Sequence, residues 1–213
     1  MSRVLRVTSV VALLLVALAG APALADTGIS VSGAAAIAGS FGMRAAFDGG
    51  TGNAFVQDNS PNAEKIYYAQ FKLRNDSLVL ADGQSHQVFR ARQGGSAAVI
   101  RVQLTNPVGP EERTTMQVFA ALDAGGFTAR IGAFAQSQHR VTIEWKGATA
   151  VGANNGYIRL YKGTTFVGEF TGLDNDTFAI DDVELGAFGG VDATTSGFTD
   201  YDDFISTRTP IPY

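Results

Sequence analysis

Apolar and polar residues alternate through most of this chain, and beyond the N-terminal apolar run no stretch sustains the three-four spacing of a helix. Met43, Ala45 and Phe47 alternate with Arg44 and Ala46, and Tyr67, Ala69, Phe71 and Leu73 with Tyr68, Gln70 and Lys72. Ile100, Val102 and Leu104 alternate with Arg101 and Gln103, and Val141, Ile143 and Trp145 with Arg140, Thr142 and Glu144. A strand turns successive side chains to opposite faces, so each run predicts one buried and one wet face. Asn154-Asn155-Gly156 and Lys162-Gly163 read as turns, and Pro107, Gly109 and Pro110 as a longer loop. Roughly a dozen short strands, about 8–12 residues apart, predict an antiparallel sandwich or barrel. Val141, Ile143, Trp145 and Leu160 are expected in its core, with His139 on the same side and Glu144 on the other.

The first 25 residues are read separately. Arg3 and Arg6 precede an apolar run from Val10 to Ala19 and a small-residue stretch ending at Ala25, the pattern of a secretory signal peptide. Its removal leaves 188 residues (213 less 25), enough for one domain with a sizeable core. It also takes two arginines, which moves the formal net charge from −4 to −6. An acidic chain without a basic patch argues against nucleic acid. No second long apolar run follows, so the expectation is a secreted or periplasmic protein with no membrane span. Cysteine is absent, which rules out disulfides, thiolate metal sites and a cysteine nucleophile. Residues 26–40 read as a flexible lead-in or weak first strand, 41–207 as the domain and 208–213 as a tail. The closing "TPIPY" carries two prolines, which disfavours the paired final strand of an outer-membrane barrel.

His139-Arg140-Val141-Thr142-Ile143-Glu144-Trp145-Lys146-Gly147 resembles the His-x-Val-x-x-x-Trp-x-Gly strand of the laminin G-like and concanavalin A-like jelly rolls. Tyr157 to Gly163 is similar to the strand and turn that follow it, without the aspartate usual there. Gly39 to Met43 and Ala54 to Pro61 look like the opening strands of a secreted bacterial group with this fold, and Gly172 to Asp176, Val183 to Ala187 and Tyr201 to Phe204 look like its closing strands. The resemblance spans about residues 38 to 207. It implies an all-β, antiparallel two-sheet jelly-roll sandwich. Such sandwiches host lectins, adhesion modules, hydrolases and spacers, so the fold leaves function open.

Each chemistry has its own requirements. The glycosidases that the resemblance brings to mind carry Glu-x-Asp-x-x-Glu on one strand, and no such run exists; Asp181, Asp182 and Glu184 come closest. A polysaccharide lyase wants an acid-base pair such as Tyr-His, with Arg and Gln around the sugar carboxylate. "GQSHQVFRARQ" sets His86 near Arg90, Arg92 and Gln93, with His86, Arg90 and Arg92 on one face if the strand is regular, although a partly exposed ring at the strand's start explains it as well. No Gly-x-Ser-x-Gly elbow is present. A structural calcium would draw on Asp174 and Asp176 in one loop or on Asp202 near the C-terminus, where turn hydrogen bonds account for the acids equally. Tyr68, Arg101, Gln103, Arg159 and Tyr161 all lie opposite core residues of their own strands and are the candidate ligand-binding set.

The resulting expectation is a secreted module that recognises a glycan or an extracellular surface, with no cofactor required and no catalysis. Its rivals are a polysaccharide-active hydrolase or lyase with a degenerate motif, and a purely structural or protein-binding sandwich.

Overall fold

The structure is a computed structural model that describes residues 27–108, 114–135 and 137–212. The predicted signal peptide and its cleavage point lie outside the described residues. Thirteen strands are formed: β1 (Thr27–Ser32), β2 (Gly42–Asp48), β3 (Ala54–Asp58), β4 (Ile66–Arg74), β5 (Ser85–Gln93), β6 (Ala97–Thr105), β7 (Thr115–Ala120), β8 (Ile131–Phe134), β9 (Gln138–Lys146), β10 (Gly156–Lys162), β11 (Thr165–Leu173), β12 (Asp182–Phe188) and β13 (Ser196–Thr207). The only helical element among the described residues is a single 3-10 turn, Gly33–Ala35. No helix there is long and apolar enough to cross a membrane.

The strands form two open antiparallel sheets. The first has the order β1-β2-β13-β4-β9-β10-β11, and the second β3-β12-β5-β6-β7-β8. Residues 26–40 contain β1, which pairs with β2 along its whole length.

The alternation places the core between the sheets. Val141, Ile143 and Trp145 are fully buried from β9, as are Ile158 and Leu160 from β10. Phe71 of the first sheet stacks on Phe89 of the second with ring centroids 5.7 Å apart. The Tyr201 hydroxyl donates across the sandwich to the Gly186 carbonyl at 2.7 Å. Gly186 itself lies in an irregular stretch of β12 with φ 147°, and a Cβ there would come within 2.4 Å of the Ala54 carbonyl oxygen. Only glycine permits that approach of β12 to β3.

One irregularity changes the reading of β5. The register shifts between Gln87 and Phe89, so a bulge reverses the inward-outward parity partway along the strand. His86 therefore does not share a face with Arg90 and Arg92, nor is its ring partly exposed. It is buried between the sheets, 5.0 Å from the Phe47 ring. His139 is also buried, on the core side of β9.

On the outer face of the first sheet, Asp200 is fully buried and binds two arginines. Its Oδ1 accepts from Arg44 Nε at 2.6 Å and its Oδ2 from Arg74 Nε at 3.0 Å, which ties β2, β13 and β4 together. Asp202 accepts from the Ile37 and Ala38 amides at 2.9 and 2.8 Å. The acids near the C-terminus thus hold backbone and strands, each in a different direction.

Candidate functional site

Strand pairing sorts the predicted ligand-binding residues onto opposite sides of the molecule. Tyr68, Arg159 and Tyr161 lie on the outer face of the first sheet, and Arg101 and Gln103 on the outer face of the second. The five residues do not form one site, because β4, β9 and β10 never pair with β6.

On the first sheet, Tyr68, Glu144, Arg159 and Glu169 lie in one cross-strand row. Arg159 Nε meets Glu169 at 2.7 Å and its Nη1 meets Glu144 at 3.4 Å, so two carboxylates compensate its charge. Tyr68 is buried despite facing outward. Burial first, then its hydrogen bond with Tyr68, pushes the Tyr157 hydroxyl up to about 12. This is a charge-compensated polar surface.

The second sheet carries a different pattern. Glu184, Arg90, Arg101 and Phe119 form one row across β12, β5, β6 and β7. Gln87, Gln103, Gln117 and Gly132 form a second across β5, β6, β7 and β8. Arg90 is ion-paired to Glu184, and Arg92 meets Asp182 at 2.6 Å and Glu184 at 2.9 Å. Arg101, directly beside Arg90, has no carboxylate partner among the described residues, and its Nε is buried without a hydrogen bond. Its guanidinium rests 3.5 Å from the centre of the Phe127 ring, and burial pulls it down from the ordinary arginine value. The side chain stays charged at any ordinary pH.

Beside this cation lies a ladder of amides. Gln103 Nε2 donates to Gln117 Oε1 at 3.1 Å and to Thr105 Oγ1 at 3.3 Å. The ladder opens onto a groove of about 390 Å³ lined by Pro107, Thr115, Gln117, Arg130, Gly132 and Phe134. Gly132 leaves the end of the row bare, and Arg130 is exposed without an ion pair among the described residues. A free guanidinium, neutral amides and a shallow groove suit an anionic, hydroxyl-rich chain.

Neither histidine reaches this face. Both are core residues, and the His86 ring nitrogens have no hydrogen-bond partner among the described residues. Asp182 and Glu184, the carboxylates in the rows beside Arg101, are bound to arginine.

The acids proposed for calcium also separate. Asp174 and Asp176 converge with Asp123, while Asp202 is turned to backbone amides. Asp123 is a member that sequence reading missed, because it lies far from the loop in the chain. Partial burial, then the neighbouring Asp123 and Asp174 carboxyls, raises the Asp176 carboxyl above its ordinary value. In chelator, Asp176→Asn is therefore expected to raise the thermal midpoint slightly. A lower midpoint for that variant would show that the carboxylate is needed rather than crowded.

Gln117, Phe127 and Arg130 were also not picked out from the sequence. The outward position of Gln117 follows from "TMQVFA", but its meeting with Gln103 needs the β6–β7 register.

A scan against family models and a search of curated proteins both find no match. Solved structures do match in fold. An endo-β-1,4-glucuronan lyase from the fungus Trichoderma reesei superposes with a TM-score of 0.60 at 14% identity, covering 85% of this chain and 87% of that one. The alginate lyase Aly36B gives 0.55 at 13% identity, over 86% and 88%. The cellulose-induced protein Cip1 gives 0.55 at 13% identity, over 90% and 91%. These likenesses establish the jelly-roll sandwich, and the narrower laminin G-like resemblance rests on the strand motifs alone. The expectation that the chain is not an enzyme does not stand, because the fold it adopts is that of two polysaccharide lyases over most of their length.

Proposed function

We propose that this protein is polysaccharide-active in the manner of a lyase, and that its substrate is an acidic, uronate-bearing glycan laid across β5 to β8. The observation that carries the reading is Arg101, a partly buried guanidinium without a carboxylate partner among the described residues, beside the Gln103–Gln117 ladder. β-Elimination from a uronate transfers the C5 proton to a base and expels the C4 oxygen, which takes up a proton, as the double bond forms; neutralising the sugar carboxylate acidifies that C–H and is the part of the step this face supplies. Arg101 supplies that charge, held against Phe127, while the glutamine amides hydrogen-bond to hydroxyls. The described residues of this face supply recognition and charge neutralisation; they offer no free carboxylate beside Arg101. The lyase neighbours support the reaction class by fold.

The test is binding and turnover of glucuronan and alginate fragments against a neutral β-glucan. Uronate binding is expected to weaken with added salt, and Arg101→Ala to weaken it roughly 10- to 150-fold, the loss of one charge-assisted hydrogen-bonded contact of ~1.5–3 kcal/mol. Growth of the ultraviolet absorbance of an unsaturated uronate would register elimination. Equal affinity for the neutral glucan, or an unchanged Arg101→Ala, would overturn the site. Tight uronate binding with no unsaturated product would overturn the lyase reaction.

A further inference from the structure

We propose a second anion site on the opposite sheet, in which Arg140 and Lys72 hold a compact oxyanion such as a sulfate or carboxylate group. The site is built by an irregularity in β13. Its register against β4 shifts between Asp202 and Ile205, and Asp203 there adopts φ 49°. The displaced strand leaves a cavity of about 370 Å³ lined by Gln70, Lys72, Arg140, Asp203, Phe204 and Ile205.

One of the charges lining this cavity stands without an ion-pair partner among the described residues. Lys72 Nζ meets Asp203 at 2.6 Å, but Arg140, its cross-strand neighbour, has no ion pair among the described residues. The Arg140 Nε is buried with no hydrogen-bond acceptor among the described residues. Asp202 feels the Lys72 charge, while its oxygens take the Ile37, Ala38 and Asp203 amides, and it makes no ion pair with Arg140. Arg140 is thus the cation without a paired acid among the described residues, with Phe204 and Ile205 as apolar walls. An oxyanion would give the Arg140 guanidinium a charged partner, and the guanidinium fork matches the spacing of its oxygens. Buried polar groups are nearly always satisfied, so an arginine that lines a cavity while its buried Nε has no acceptor among the described residues points to an absent partner for the guanidinium.

The test is a magnetic-resonance titration of isotope-labelled protein with sodium sulfate, chloride keeping the ionic strength constant. The Arg140 Nε–H signal and the Phe204 and Ile205 amides are expected to shift and saturate. Arg140→Gln should abolish saturation at those amides while leaving the rest of the spectrum in place, and Lys72→Gln should weaken binding severalfold. Should Arg140→Gln fail to fold, Lys72→Gln reads the site alone. A second arm uses a glucose sulfate ester: saturation by inorganic sulfate identifies a free-anion site, and saturation by the ester alone a sugar-borne one. A linear response to both, or saturation that survives Arg140→Gln and Lys72→Gln, would overturn the proposal.

Discussion

Acidification from pH 6.5 towards 4 is expected to destabilise this protein by up to about 3 kcal/mol for each of its two histidines. Burial lowers His86 to about 4, and burial followed by the Lys162 charge lowers His139 to about 4. In the unfolded chain both return to an ordinary histidine value near 6.5. Between those limits the unfolded state binds more protons than the folded one. The stability due to the neutral rings is therefore complete above the unfolded value and lost as pH falls through the window. Urea unfolding across that range reads the slope. His86→Leu should flatten it by about one proton at little cost at neutral pH, because both nitrogens of the native ring lack partners among the described residues. An unchanged slope in that variant would show that His86 does not stay neutral in the fold.

The second large effect is at Trp145. Its side chain is fully buried, and its outer ring edge lies 3.2 Å from where a Cβ on Gly147 would stand. Trp145→Ala is expected to cost about 3–5 kcal/mol, because a rigid sandwich cannot collapse into the space left behind. The same substitution should leave the Arg101 face able to bind, since Trp145 points into the core from the other sheet. Unchanged stability with lost glycan binding would place the residue on a ligand surface instead.

How much of this was legible in the sequence differs by level. The burial of Val141, Ile143, Trp145 and Leu160 follows from alternation alone, which leaves sandwich and barrel open; the two-sheet class comes from the resemblance of the strand motifs. The position of His86 does not, because one bulge in β5 reverses parity and nothing in "SHQVFRAR" marks it. Alternation also says that a side chain points outward without saying from which sheet. Arg101 and Arg159 look equivalent in the sequence, and strand pairing puts them on opposite surfaces. The state of their charges is less legible still: Arg159 meets two glutamates, one from each neighbouring strand, whereas Arg101 faces another arginine. Asp123 joins Asp174 and Asp176 only through the folding of distant loops. Register and strand order, which are long-range properties, thus decide the chemistry of residues whose orientation is local.

The most direct test of the central claim is an amide shift map during titration with a short glucuronan oligosaccharide. The largest changes are expected at Arg101, Gln103, Gln117 and Gly132 on the second sheet, and Arg101→Ala should remove them. Changes confined to Tyr68, Tyr157, Arg159 and Tyr161 would contradict the account and move the glycan to the first sheet.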